Sequence, residues 1–260
     1  MSDVIIGVDE AGYGAWAGPL SICAMIIDDG VVEGVRDSKK IAEAMRYRLY
    51  DELRVAAKAY TIVLMSPEYI DKNGLDAAWD KGVTEAVLDV RRKYGSDVMA
   101  IIDGRNIPEG LENADCMIGG DDKVYQISAA SIAAKAHRDS KMLAYDKMHP
   151  GYGFAQHKGY GTKQHMKALQ DLGACAIHRK SYKPVKNPNK PLPKEELEFT
   201  AEGANKILKK IGDIRSNPKV SDWEVIFYED MKSKVMDGRR LSPRQMFFLD
   251  AIRRRHFKHK

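Results

Sequence analysis

Apolar positions recur along the chain with two different periods, and the two alternate. Short apolar, β-branched runs at 4–9, 20–27, 60–65 and 98–103 have strand length, and 116–118 reads as a short fifth. Between them the spacing changes to three and four. Ala42, Met45, Leu49 and Leu53 mark a helix over about 41–57, and Ala78, Trp79, Val83, Val87 and Val90 mark another over 75–94. Ser66 before Pro67 reads as an N-cap followed by proline at the first helical position. Residues 127–148 predict a long helix whose Ala129, Ala130, Ala133 and Ala134 let it lie close against a sheet. Strands mixed with helices in this way predict an α/β domain with a central sheet. The first two runs are close enough to pair antiparallel, so a mixed sheet is expected.

The pattern breaks at 183–193, which holds four of the chain's ten prolines. Proline removes a backbone donor and disfavours helix at the residue before it, so an extended linker is expected here. The resulting division is a body at 1–183, a linker at 184–193 and a C-terminal module at 194–260. In the module, Ser221 to Glu224 and Ser242 to Gln245 read as capping boxes, the second with Pro243 at the first helical position. Trp223, Phe227, Met231 and Val235 form a stripe, and Phe248, Leu249 and Ile252 a facing one. Arg253, Arg254 and Arg255 fall in a last turn, where cations suit the helix dipole. A small all-α module of two or three helices is expected.

Composition narrows the class. With 44% hydrophobic and 30% charged residues the chain is globular, and no run approaches the ~18 apolar residues of a membrane span. The N-terminus has no basic segment or cleavage site, so no secretory signal is expected. Cys23, Cys116 and Cys175 are scattered and odd in number, which points to a reducing, cytoplasmic setting rather than a disulfide framework. The net charge of +5 is unevenly spread. Residues 183–260 carry 19 Lys and Arg against 11 Asp and Glu, whereas 1–182 carry 23 against 26. A basic C-terminal piece on a mildly acidic body hints at a polyanionic partner such as nucleic acid, although solvated lysines read the same way.

Candidate chemistry gathers at strand ends. The first strand ends in Asp9 and Glu10, with Gly12, Gly14 and Gly18 close behind. Successive strand side chains face opposite ways, so these two carboxylates serve one site only if the chain turns at once, which the glycines permit. A charged strand end with a glycine turn is the plain alternative. Asp103 ends another strand before Gly104, and Asp121 follows Gly119-Gly120. Strand ends are where open α/β sheets put their sites. Converging carboxylates repel one another without cations and make an oxygen-only site suited to Mg²⁺ or Mn²⁺. Two such ions can clamp a phosphodiester. Taken singly, each aspartate is equally a loop cap.

The segment 7–20, GVDEAGYGAWAGPL, resembles the first motif of the ribonuclease HII family. The agreement continues in order through Asp37-Ser38-Lys39-Lys40, Ile102-Asp103-Gly104, and Gly120-Asp121-Asp122-Lys123 with the helix to Asp139. Gly151 to Phe154, His157-Lys158-Gly159-Tyr160 and His178 to Ser181 complete it, over about 4–185. The resemblance implies an RNase H-like fold: a mixed central sheet flanked by helices. It implies cleavage 5′ to ribonucleotides in RNA–DNA hybrids or embedded in duplex DNA, leaving 3′-hydroxyl and 5′-phosphate ends. By the same resemblance Asp9, Glu10, Asp103 and Asp121 are the catalytic and metal-binding set. Tyr160 stacks on the junction sugar, and Gly12-Tyr13-Gly14 reads the 2′-hydroxyl, the group that distinguishes RNA from DNA. Lys39, Lys135, Arg138, Arg179 and Lys180 are the expected phosphate or scissile-region contacts.

Three positions depart from the family pattern. Tyr13 stands where arginine is usual and supplies no cationic fork. Asp122 replaces a small residue and reads as a charge at the start of a helix. His137 replaces another and reads as structural or solvated. His149, His157, His165 and the Cys175–His178 spacing lack a complete zinc pattern, and Trp16 and Trp79 read as packing. A monomer is expected, with a replication or repair protein as a further candidate partner of the C-terminal module. Another RNase H-like DNA nuclease, or a weakly catalytic nucleic-acid-binding protein, stays open as the alternative.

Overall fold

The computed structural model describes residues 4–257 except 36–37, 39–40, 105, 189–200, 221, 240 and 242. The chain divides into two compact units, Met1–Lys190 and Pro191–Lys260.

The first unit is built on five strands: β1 (Ile5–Ala11), β2 (Leu20–Ile26), β3 (Ala59–Met65), β4 (Met99–Asp103) and β5 (Ala114–Met117). Their order is β3-β2-β1-β4-β5. β1 pairs antiparallel with β2, and β2 with β3, while β4 runs parallel to both β1 and β5. The mixed sheet expected from the sequence is therefore present.

Alternation along the strands decides which helix each face receives. Ile6 and Val8 of β1, Ile22, Ala24 and Ile26 of β2, and Ala100 and Ile102 of β4 pack against α3 (Leu75–Tyr94). On the other face, Cys23 and Met25 meet α1 (Glu43–Ala56) and α4 (Tyr125–Met148). Ala129, Ala130, Ala133 and Ala134 of α4 are fully buried and bring its backbone down onto β1. A Cβ on Gly7 would lie 2.2 Å from the Gln126 carbonyl carbon. The expected cap holds: Ser66 accepts the Tyr69 N–H at 3.1 Å and starts α2 (Pro67–Asn73). After α4 come α5 (Phe154–His157) and α6 (Lys163–Leu172).

One expectation changes. The chain from Lys183 does not begin an extended linker but makes a helical turn, α7 (Lys183–Lys186). Pro184 lies in its first turn, where the missing donor is one the helix does not use, and Val185 is buried.

The second unit contains α8 (Ala201–Ile211), α9 (Asp222–Met236) and α10 (Pro243–His256). Met231 and Val235 of one expected stripe and Leu249 and Ile252 of the other are buried in a common core, with Phe227 packed on it. Buried Glu224 accepts from Arg255 at 3.0 Å and His256 at 3.1 Å, tying the start of α9 to the end of α10. Ser221 and Ser242, and the side chains of Trp223 and Phe248, lie outside the described residues.

The contact of α4 with β1 tolerates no side chain at residue 7. Gly7→Ala is expected to lower stability by ~1–3 kcal/mol or more through overpacking, seen as a reduced urea midpoint with an unchanged slope.

Candidate active site

Strand alternation carries past the hydrophobic residues to the carboxylates. Asp9 shares the face of Gly7, toward α4, and Glu10 shares that of Val8, toward α3. The chain does not turn at once: β1 runs on to Ala11, paired with Ser21. Asp9 is buried and takes hydrogen bonds from the Glu10 N–H at 2.7 Å and from the Ser131 hydroxyl on α4. Ser131 in turn meets the buried Ser38 hydroxyl at 2.9 Å. Glu10 instead accepts the Trp79 indole N–H at 3.1 Å, on α3. Trp79, read from the sequence as packing alone, thus also orients a carboxylate.

Val8 lies opposite Ile102 in the parallel pairing, so Asp9 and Asp103 are the next neighbours along it. Asp103 Oδ1 accepts the Gly119 N–H at 3.0 Å and the Gly120 N–H at 3.3 Å. These bonds fix a turn that needs both glycines. Gly119 has φ 67°, and a Cβ on Gly120 would lie 2.6 Å from Ile127 Cδ1. The turn continues as a 3₁₀ segment, Gly120–Asp122, and its Asp121 is buried. The Ser128 hydroxyl donates to the Asp121 carbonyl at 2.7 Å and anchors the segment to α4.

Asp9, Asp103 and Asp121 each present a carboxylate oxygen within 4.8 Å of the others. Among the described residues this is the cluster with metal-ligand geometry; Glu10 and the exposed Asp122 stand outside it. Burial raises the Asp9 pKa well above the carboxylate range, and the charges of Glu10 and Asp103 raise it further, against the hydrogen bonds that lower it. Hard oxygen donors crowded at this spacing suit a hard divalent cation, whose charge reverses the repulsion.

Beyond β1 the glycine-rich loop is held from behind. Arg138 is fully buried and donates to the carbonyls of Pro19 at 2.9 Å, Lys158 at 2.9 Å and Ala17 at 3.0 Å. Arg179, also fully buried, donates to Gly12 at 2.7 Å, Tyr13 at 2.9 Å and Gly18 at 3.2 Å. The sequence reading gave both arginines to phosphate or the scissile region. The structure instead spends their guanidinium donors on loop carbonyls, which is what allows two such charges to be buried. Gly12 has φ 91°, and a Cβ there would collide with Arg138 at 2.0 Å. Gly14 is exposed. Tyr13 is half-buried and donates its hydroxyl to Asp76 at 2.6 Å.

A family model for ribonuclease HII matches residues 6–185. The chain belongs to the ribonuclease HII family. It is 42% identical over 183 residues to the ribonuclease HII of Francisella tularensis subsp. holarctica strain LVS, covering 70% of this chain and 96% of that one. Its fold is similar to that of the ribonuclease H2 of Pyrococcus horikoshii OT3, with TM-score 0.60, 22% identity, and coverage of 71% of this chain and 96% of that one. A ribonuclease HII solved in complex with PCNA, from Archaeoglobus fulgidus, also has TM-score 0.60, at 23% identity over 72% and 97% of the two chains. The sheet is thus the RNase H-like sheet that the resemblance implied, and endoribonuclease H activity comes with family membership. No described helix is long and apolar enough to cross a membrane.

Of the remaining ribonuclease HII motif residues, Tyr160 lies against α4. Half-buried Tyr160 has the Lys135 ammonium 5.5 Å and the Arg138 guanidinium carbon 5.2 Å from its ring centre. Lys135 also pairs with buried Asp139 at 2.7 Å. Lys180 is exposed, with its backbone N–H on Asp71 at 2.7 Å. Lys39 lies outside the described residues. His137 contacts Tyr50 at 3.3 Å, a structural position.

Behind Tyr160 the structure assembles a group that the sequence spacing did not reveal. His157 and His165 stack with ring centres 4.4 Å apart, and His165 Nε2 lies 3.0 Å from His178 Nε2. All three are buried, with Trp16, Tyr152 and Phe154 around them. Burial pushes His165 and His178 down to about 4 and lowers His157. His149 and Lys180 add repulsion at His178, and Lys158 at His157 is opposed by Asp146.

In the unfolded chain these imidazoles take protons near pH 6.5, but in the folded chain His165 and His178 do so only near 4. Their contribution to stability is therefore complete above pH 6.5 and lost as pH falls toward 4. Urea unfolding between those limits is expected to take up about two protons from this pair, and His165→Asn to remove about one of them.

Proposed function

We propose that this chain cuts the phosphodiester 5′ to a ribonucleotide, in RNA–DNA hybrids and where one is embedded in duplex DNA, leaving 3′-hydroxyl and 5′-phosphate ends. The observation that carries the reading is the strand-end cluster of Asp9, Asp103 and Asp121, whose oxygens lie within 4.8 Å of one another. These residues, with Glu10 at its edge, are proposed to hold two Mg²⁺ or Mn²⁺ ions. Ions of this type, when bound, activate water and neutralise charge on a leaving oxygen. The buried, mutually repelling state of Asp9 supports the assignment, because a cation is what makes such a carboxylate favourable. Trp79 fixes the direction of Glu10, and the bonds from Gly119 and Gly120 fix that of Asp103.

For the substrate, the Gly12-Tyr13-Gly14 loop is assigned to the 2′-hydroxyl and Tyr160 to the adjoining sugar. Tyr13 has its hydroxyl committed to Asp76 and brings no cation, so the reading falls to the loop backbone, kept in shape by Arg179. Lys135 and Lys180 remain the proposed phosphate contacts.

The decisive assay uses two labelled duplexes, one with a single embedded ribonucleotide and one a continuous hybrid, with Mg²⁺ and with Mn²⁺. Cleavage 5′ to the single ribonucleotide is expected, with a kcat at least ~100-fold lower for Asp103→Asn. An equally active Asp103→Asn would refute the metal assignment.

The excess of basic residues after 182 favours a second role, duplex affinity supplied by the C-terminal unit. Removing 186–260 is expected to weaken duplex binding and flatten its dependence on salt, and an unchanged affinity and slope would exclude that role.

A further inference from the structure

The histidine group behind Tyr160 has a direction that can be worked out atom by atom. A backbone carbonyl only accepts and a backbone N–H only donates. His165 Nδ1 lies 3.0 Å from the Tyr160 carbonyl and therefore carries a proton. His178 Nδ1 lies 3.0 Å from the Cys175 N–H and therefore carries none. Neutral imidazole has one N–H, so His178 is protonated on Nε2 and His165 is bare on Nε2. These two atoms face each other at 3.0 Å and make one bond, from His178 to His165. His157 runs alongside, with Nδ1 accepting the Gly159 N–H at 3.2 Å and Nε2 donating to the Tyr152 carbonyl at 2.8 Å. All six ring nitrogens of the three histidines are thereby matched, each in one sense only.

The chain of bonds ends on the segment that presents Tyr160. The Tyr160 N–H donates to the His157 carbonyl at 2.9 Å, and its carbonyl accepts from Thr162 N–H at 3.0 Å as well as from His165. Gly159 has φ 82°, and its carbonyl accepts the Trp16 N–H at 2.8 Å and the Ala17 N–H at 3.2 Å. The same segment therefore touches the histidines on one side and the glycine-rich loop on the other.

We propose that His165, oriented by His178, is a positioning residue for substrate: its Nδ1–H fixes the Tyr160 peptide and so sets the Tyr160 ring against the ribonucleotide sugar. The inference rests on the substrate role assigned to Tyr160 above. Asparagine at 165 can keep a donor near the Nδ1 position, whereas glutamine matches Nε2 and loses that donor. On the single-ribonucleotide duplex, kcat/KM is expected to fall about tenfold for His165→Gln and to stay within about twofold of wild type for His165→Asn. The two variants are expected to have similar melting temperatures. In a Tyr160→Ala background the difference between them is expected to vanish, because the group being positioned is gone.

Equal losses in the two single variants, or a difference that persists without Tyr160, would overturn the proposal. If Tyr160→Ala alone cleaves like wild type, the substrate role of Tyr160 fails, and this inference fails with it. If Tyr160→Ala is impaired while His165→Gln is not, only the inference fails. A measurement on the wild-type protein needs no variant to fold: ¹⁵N NMR of the imidazoles at neutral pH. His165 is expected as the Nδ1–H tautomer, and His157 and His178 as Nε2–H. The opposite tautomer at His165 would overturn the relay directly.

Discussion

The close approach of α4 to β1 at Gly7 governs the site. A glycine there lets a helix backbone sit where any side chain would collide, and it settles which face of β1 meets α4. Because strand side chains alternate, that one choice puts Asp9 beside Ser131 and leaves Glu10 beside Trp79. Asp103 follows from the parallel register of β4, and Asp121 from the turn that Asp103 itself holds. The carboxylates are thus consequences of packing on both sides of the sheet.

Buried charge is managed in two ways along β1 and the loop that follows it. The arginines are surrounded by carbonyls, so that Arg138 and Arg179 act as internal braces for a glycine-rich loop. Among the carboxylates, Asp9 accepts the Glu10 N–H and the Ser131 hydroxyl and is still left unfavourable as an anion. The first arrangement is complete within the protein. The second suits a hard divalent cation.

Much of this was legible in the sequence. Strand and helix periods, with the Ser66 cap, located the first four strands and the helices before residue 149, and put the fifth strand at 116–118 where it is Ala114–Met117; glycines beside strand-end aspartates located Asp9, Asp103 and Asp121. The ordered motifs supplied the family, which the comparison with relatives confirmed. What escaped detection has physical reasons. Arginine in a nucleic-acid enzyme reads as a phosphate contact, and only the backbone geometry of residues 12–19 reveals that Arg138 and Arg179 point inward. His157, His165 and His178 lie on separate stretches whose convergence depends on how α5 and α6 pack, so no local spacing announces them. Pro184 suggested an extended chain, yet proline in a first helical turn is equally at home. The division of Asp9 from Glu10 turned on whether β1 stops at Glu10 or runs to Ala11, a single residue that periodicity does not resolve.

If the proposed metal site is right, the cluster is strained without a cation and relieved by one. The most direct measurement is thermal stability of wild type and Asp9→Asn, first in chelator and then with rising Mg²⁺ or Mn²⁺. Asparagine keeps the side-chain oxygen that accepts the Glu10 N–H but removes the charge. In chelator Asp9→Asn should melt above wild type, and added cation should raise wild type and leave the variant largely unmoved. An Asp9→Asn protein that melts below wild type in chelator and gains as much from the cation would contradict the claim.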